Sequence, residues 1–165
     1  MITPLIIIGL LVLPVSLAAG LSLLRQQPVR LIPYTYWGLG IAFMYFALGH
    51  VVKTDAMVTM LPPWVPMREA LIYTTGLLEL VIGLALWVPR WQRAAAKCAI
   101  AVFILFFPAN VYAALNSIGL GGHQWGPVYL FIRAPLQLLL IGWACLLCLS
   151  ATVTASSDKV EQHGS

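Results

Sequence analysis

Charge is what this sequence has least of. Only 8% of its residues are Asp, Glu, Lys or Arg, against about 25% in an ordinary soluble domain. So few charges cannot cover a water-facing surface, which argues against a soluble globular protein. Metal-ligand spacing is also missing: His50, His123 and His163 are scattered and no two are spaced as ligands, so no metal site is expected. There is no glycine-rich phosphate loop and no serine elbow, which argues against nucleotide and acyl-transfer chemistry. No basic stripe interleaves with aromatics, so the net charge of +4 does not imply nucleic acid. Apart from Arg133, its lysines and arginines sit at or beyond the ends of apolar runs, where they meet lipid headgroups. Cys98, Cys145 and Cys148 all lie in apolar stretches. The Cys145-x-x-Cys148 pair lacks the exposed, acidified thiol of a redox site, and reads as two small apolar residues.

Long uncharged runs fill the rest. None of Met1–Leu24, Cys98–Ile132 and Ala134–Ser157 holds a Lys, Arg, Asp or Glu, and the run between Arg30 and Lys53 holds only His50 as an ionisable group besides its tyrosines. Between Glu69 and Arg90 the one charge is Glu79. A membrane crossing takes about 20 apolar residues. The expected fold is therefore an all-α membrane protein with five transmembrane helices, over 4–24, 31–52, 67–88, 93–115 and 127–150. One domain spans 1–150, and a flexible polar tail covers 151–165. Prolines and glycines mark the breaks: Arg25 to Pro33, Pro62-Pro63-Trp64-Val65-Pro66, Pro89-Arg90-Trp91, and Gly119 to Pro127. The first segment has no basic leader and is interrupted by Pro4 and Pro14, so it reads as a retained helix and not a cleaved signal. The first and third connections hold Arg25, Arg30, Arg90, Arg93 and Lys97; the second holds Lys53 and Arg68, and the fourth holds no Lys or Arg. That bias predicts an amino terminus outside and a carboxyl terminus in the cytoplasm.

Five polar residues stand inside these spans: His50, Glu79, Asn110, Arg133 and Gln137. Such groups are costly in hydrocarbon and default to functional candidates. At about 1.5 Å per residue, all five fall between the outer surface and the midplane. Arg133 and Gln137 share a face. Thr75, Glu79 and Gly83 form a small-polar face on the third helix, and Gly40, Phe43, Ala47 and His50 form one on the second. Pro108 and Pro135 each free a backbone carbonyl beside this group. The expectation is a small polar pocket, with Glu79 and His50 as catalytic proton carriers and Asn110, Arg133 and Gln137 as substrate-binding donors. The stiff Pro62–Pro66 loop would bring Trp64 over it as a further binding residue. The competing expectation is that Glu79 and Arg133 neutralise each other and merely lock the bundle.

Five landmarks in order carry a family resemblance. They are Phe46-Ala47-Leu48-Gly49-His50; Met60-Leu61-Pro62-Pro63-Trp64-Val65-Pro66; Tyr73-Thr74-Thr75-Gly76-Leu77-Leu78-Glu79-Leu80; Phe107-Pro108-Ala109-Asn110-Val111-Tyr112; and Arg133-Ala134-Pro135-Leu136-Gln137. Together they resemble the DoxX-like membrane protein family, over about Trp37 to Cys148. The resemblance implies a four-helix bundle, to which the first helix is an addition. It also implies a relation to the membrane subunits of thiosulfate:quinone oxidoreductase, and hence a bacterial inner membrane. The expected function is then a quinone-linked redox role or a membrane subunit of an oxidoreductase complex. No haem, flavin or cluster site is evident, a quinone is the candidate ligand, and a partner membrane or redox protein would supply electrons. The alternative is a non-catalytic accessory or assembly subunit of a larger membrane complex. A quinone site predicts an open cleft beside Glu79 and Arg133; a scaffold predicts a closed, fully paired cluster.

Overall fold

The computed structural model describes residues 2–118 and 122–163. Among them the fold is all-helical, with no strand. The order is α1 (Ile2–Arg25), α2 (Ile32–Val52), α3 (Thr54–Val58), α4 (Arg68–Ala85), α5 (Gln92–Leu115) and α6 (Leu130–His163), with a 3-10 segment at His123–Tyr129 leading into α6. Among the described residues four helical segments are long and apolar enough to cross a membrane: Ile2–Arg25, Ile32–Val52, Gln92–Leu115 and Trp125–Leu149. The helix α4 has 18 residues and carries Arg68, Glu69 and Glu79. Three charges in so short a segment set it apart from the other four.

Several boundaries differ from those expected. The third expected helix reached residue 88, but α4 ends at Ala85. Pro89 explains this, because it has no N–H for the Ala85 carbonyl and disfavours helix in the residue before it. The expected loop after Val52 contains α3, tied to α2 where the Thr54 hydroxyl donates to the His50 carbonyl at 2.6 Å. The last helix was expected from Pro127, yet the chain is already in 3-10 turns from His123. Gly126 breaks the regular path at φ 75° and ψ −159°, a backbone conformation almost confined to glycine. At the far end α6 continues to His163, through residues expected to form a flexible tail. Nothing stops it: there is no proline or glycine between Ser150 and Gly164. Within the expected fourth connection, Gly119 to Gly121 lie outside the described residues, as do the last two residues of the expected tail.

The helix α2 is the hub. It packs most extensively on α4, and also on α1 and α6, while α5 pairs with α6. The core joins Leu39 and Phe43 of α2, Ile82 of α4, Ala96, Ala99 and Phe103 of α5, and Leu140 and Ala144 of α6. Tyr36 at the start of α2 donates its hydroxyl to the Leu147 carbonyl at 2.6 Å, fixing that end of α2 to α6. In α1 the buried residues Pro4, Ile7, Leu11, Pro14 and Ala18 recur every three or four positions, which makes one stripe down the helix. Its opposite side leaves Leu5, Leu13, Leu17 and Leu24 exposed.

Glycine sets how closely the helices approach. A Cβ on Gly38 would overlap the Leu11 carbonyl, so α1 lies directly on the α2 backbone. Replacing Gly38 with leucine should lever α1 off α2. The expected loss is at least about 1–3 kcal/mol, the usual cost of overpacking, read as a lower midpoint of thermal unfolding in detergent. An unchanged midpoint would contradict this packing.

Candidate functional site

The small faces of α2 and α4 meet each other. Near one end Gly40 and Gly83 cross, and a Cβ on either would sit 2.9 Å from the other's carbonyl oxygen. Near the other end a Cβ on Gly76 would lie 2.6 Å from the Cβ of His50. Two close crossings on one pair of helices hold Glu79, which lies between them, against α2. Glu79 is 5% exposed, and its Oε2 lies 3.1 Å from Nδ1 of His50.

That nitrogen has two neighbours. It is also 3.0 Å from the Phe46 carbonyl, which can only accept, so Nδ1 carries the proton and donates to it. One N–H cannot point at both oxygens. Oε2 of Glu79 is accordingly buried without a directed hydrogen bond. The His50–Glu79 contact is a close approach of 3.1 Å.

The other polar residues come from α5 and α6. Asn110 donates through Nδ2 to the Phe106 carbonyl at 2.9 Å, one turn back on α5. Gln137 of α6 donates through Nε2 to the Phe103 carbonyl of α5, bridging the two helices. The carbonyl it takes is next to Ile104, whose usual donor Pro108 lacks. Arg133 has no such anchor. Its Nε is buried without a partner, and the guanidinium is not within 4.0 Å of the Glu79 carboxylate, the pairing that a purely structural lock required; the close contact formed is His50–Glu79.

A cavity of about 550 Å³ separates these groups. His50, Glu79, Asn110, Arg133 and Gln137 all line it. The rest of the wall is mainly apolar and aromatic, with Tyr45, Phe46, Phe103 and Phe106 prominent. This is the composition of a small-molecule pocket, an apolar chamber with a few placed polar groups. Trp64 is not part of it: the side chain is 81% exposed, and the residues that reach the wall from this region are Met57, Met60 and Leu61. The proline-rich turn holds Trp64 outward, while α3 and the turn after it cover the cavity. Cys145 and Cys148 do not line it either.

Much of the wall escaped the sequence reading, Tyr129, Thr3 and Ile7 included. Tyr129 lies four residues before Arg133, so the same spacing that joins Arg133 to Gln137 points to it. Thr3 and Ile7 come from α1, and Ile7 belongs to the buried stripe of that helix. Among the described residues no group of three His, Cys, Asp or Glu side chains gathers as metal ligands.

Residues 39–148 match the family described as a domain of unknown function, DUF8561. The match covers more than half of the chain, and the chain belongs to that family. No curated protein and no solved structure matches it. The matched segment begins within α2, so α1 lies outside it.

Proposed function

We propose that this member of the DUF8561 family is an integral membrane protein that binds a quinone in the cavity between α2, α4, α5 and α6, as a quinone-linked subunit of an oxidoreductase complex. The observation that carries the reading is the open, incompletely paired cluster. Glu79 and Arg133 face one cavity of about 550 Å³ without joining each other, whereas a scaffold would have closed them into a pair. Opposite charges in a low-dielectric interior attract strongly, so keeping them apart beside a cavity is a disposition toward a ligand.

The membrane supports the reading. The outward sides of α1, α4 and α6 carry Leu5, Leu17, Leu77, Val81, Leu138 and Leu146, all more than half exposed. Apolar surface this continuous suits lipid and not water. With α4, about 27 Å long at 1.5 Å per residue, the bundle has five crossings, the amino terminus outside a bacterial inner membrane and the carboxyl terminus within. The resemblance to DoxX-like proteins points to the same ligand class. The quinone ring would stack among Phe46, Phe103 and Phe106, with one oxygen near Arg133 and the other on the Glu79 side, and its tail between helices in lipid. His50 and Glu79 would exchange protons with it. Electrons would come from a partner protein.

Gentle purification from the source membrane, with mass spectrometry of the retained lipids and proteins, tests this. A quinone at near-equal ratio is the expected result. A stable set of partner subunits with no quinone would favour the accessory role instead.

A further inference from the structure

The polar wall of the cavity is unfinished in a particular way. Neither Glu79 nor Arg133 makes a side-chain hydrogen bond to the described protein; the carboxylate has only the 3.1 Å contact with His50. Oε2 of Glu79 and Nε of Arg133 are enclosed. Both residues line the cavity, which leaves the remaining carboxylate oxygen and the Nη groups as the parts that can face it. The two amides differ, because each has spent a donor on a backbone carbonyl, Asn110 on Phe106 and Gln137 on Phe103. The cavity therefore offers an acceptor on the α4 side, from Glu79, and strong donors on the α6 side, from Arg133.

We infer that the site is complementary to a ligand head bearing both a hydroxyl donor and an oxygen acceptor, and so prefers a hydroquinone to its oxidised quinone. The inference rests on the quinone reading above and deepens it. A hydroquinone donates one O–H to Glu79 and accepts from Arg133 through its other oxygen. An oxidised quinone has only acceptors. It satisfies Arg133 but sets a carbonyl oxygen against the Glu79 carboxylate, which then has only His50 beside it. Unmatched buried groups are disfavoured strongly enough to separate ligands that differ by one hydrogen-bonding group. The expected preference is on the order of tenfold or more.

The test measures affinities of a short-tailed benzoquinone and of its hydroquinone, kept reduced without oxygen, for the full chain in lipid nanodiscs. The account expects the hydroquinone to bind about tenfold tighter or better. It also expects Glu79→Gln, whose amide offers donors as well as an acceptor, to bring the two affinities close together. Wild-type protein that binds both forms equally, or the quinone better, overturns the preference and leaves quinone binding standing. A preference that survives Glu79→Gln overturns the role given to Glu79. Binding of neither form overturns the quinone reading and this inference with it. Arg133→Lys supplies a second readout. It keeps the charge and loses the flat donor array, so both forms should weaken while the preference persists; a preference lost in Arg133→Lys but kept in Glu79→Gln would overturn the assignment.

Discussion

Gly76→Ala should uncouple His50 from Glu79 and weaken ligand binding at least about tenfold. The added Cβ would stand 2.6 Å from the His50 Cβ and 3.1 Å from its Cγ. Neither is the far end of a flexible side chain, so α2 and α4 must part or the imidazole must turn. A Cβ–Cβ contact relaxes at roughly 3.5–4.0 Å, a displacement of about 1 Å. Added to the 3.1 Å between Nδ1 and Oε2, that breaks the contact. A carboxylate left unaided in an apolar cavity is disfavoured, and misplacement of a binding group by 1 Å costs heavily. Stability should change less than binding, because alanine favours helix over glycine by about 1 kcal/mol and offsets part of the strain. Gly142→Ala is the control, since nothing lies within 4 Å of its added Cβ; it should bind normally and unfold no earlier. Ligand titration and thermal unfolding of the two variants separate the outcomes. Normal binding by Gly76→Ala would show that the close crossing does not serve the site.

The second large effect is on folding. Phe43 is fully enclosed in α2, with Phe103 at 5.1 Å and Phe46 at 5.8 Å between ring centroids. In lipid the transfer part of a core residue's contribution shrinks, because the surrounding tails are as apolar as the core. What remains is packing. A cavity costs about 24 cal/mol per Å³, and removing a benzyl side chain leaves ~100 Å³ if nothing collapses, so Phe43→Ala should cost about 2 kcal/mol. The same rings hold Phe46 and Phe103 against the cavity, so binding should weaken along with stability. Phe43→Leu keeps most of the volume and should recover most of both. Unfolding midpoints in detergent, measured with and without ligand, check this.

Much of the architecture was legible in the residues. The long uncharged runs give α1, α2, α5 and most of α6 directly, since only their ends needed adjusting. The cost of polar groups in an apolar helix singled out His50, Glu79, Asn110, Arg133 and Gln137, and one cavity receives all five. Helical spacing also foretold the facing sides of α2 and α4. Pairing was not legible. Depth along a helix places Glu79 near both His50 and Arg133, and only the Gly76 crossing decides for His50. Trp64 shows the opposite limit. A tryptophan among prolines suits a lid and an interfacial anchor equally well, and the direction of a turn is set by its backbone, here by Met67 at φ 48° just before α4. The short α3 was hidden too, because a five-residue helix has no periodicity to read.

The central claim is that the cavity at Glu79 and Arg133 receives a quinone-type head. Photocrosslinking answers it most directly: a benzoquinone carrying a photoreactive group near the ring is activated on the protein in native membranes, and the labelled residues are mapped by peptide sequencing. The account predicts labels on α2, α5 and the 3-10 segment before α6, around Phe46, Phe106 and Tyr129, all removed by excess unlabelled quinone. Labels spread along the outward leucines of α1 and α6, unaffected by competitor, would contradict it.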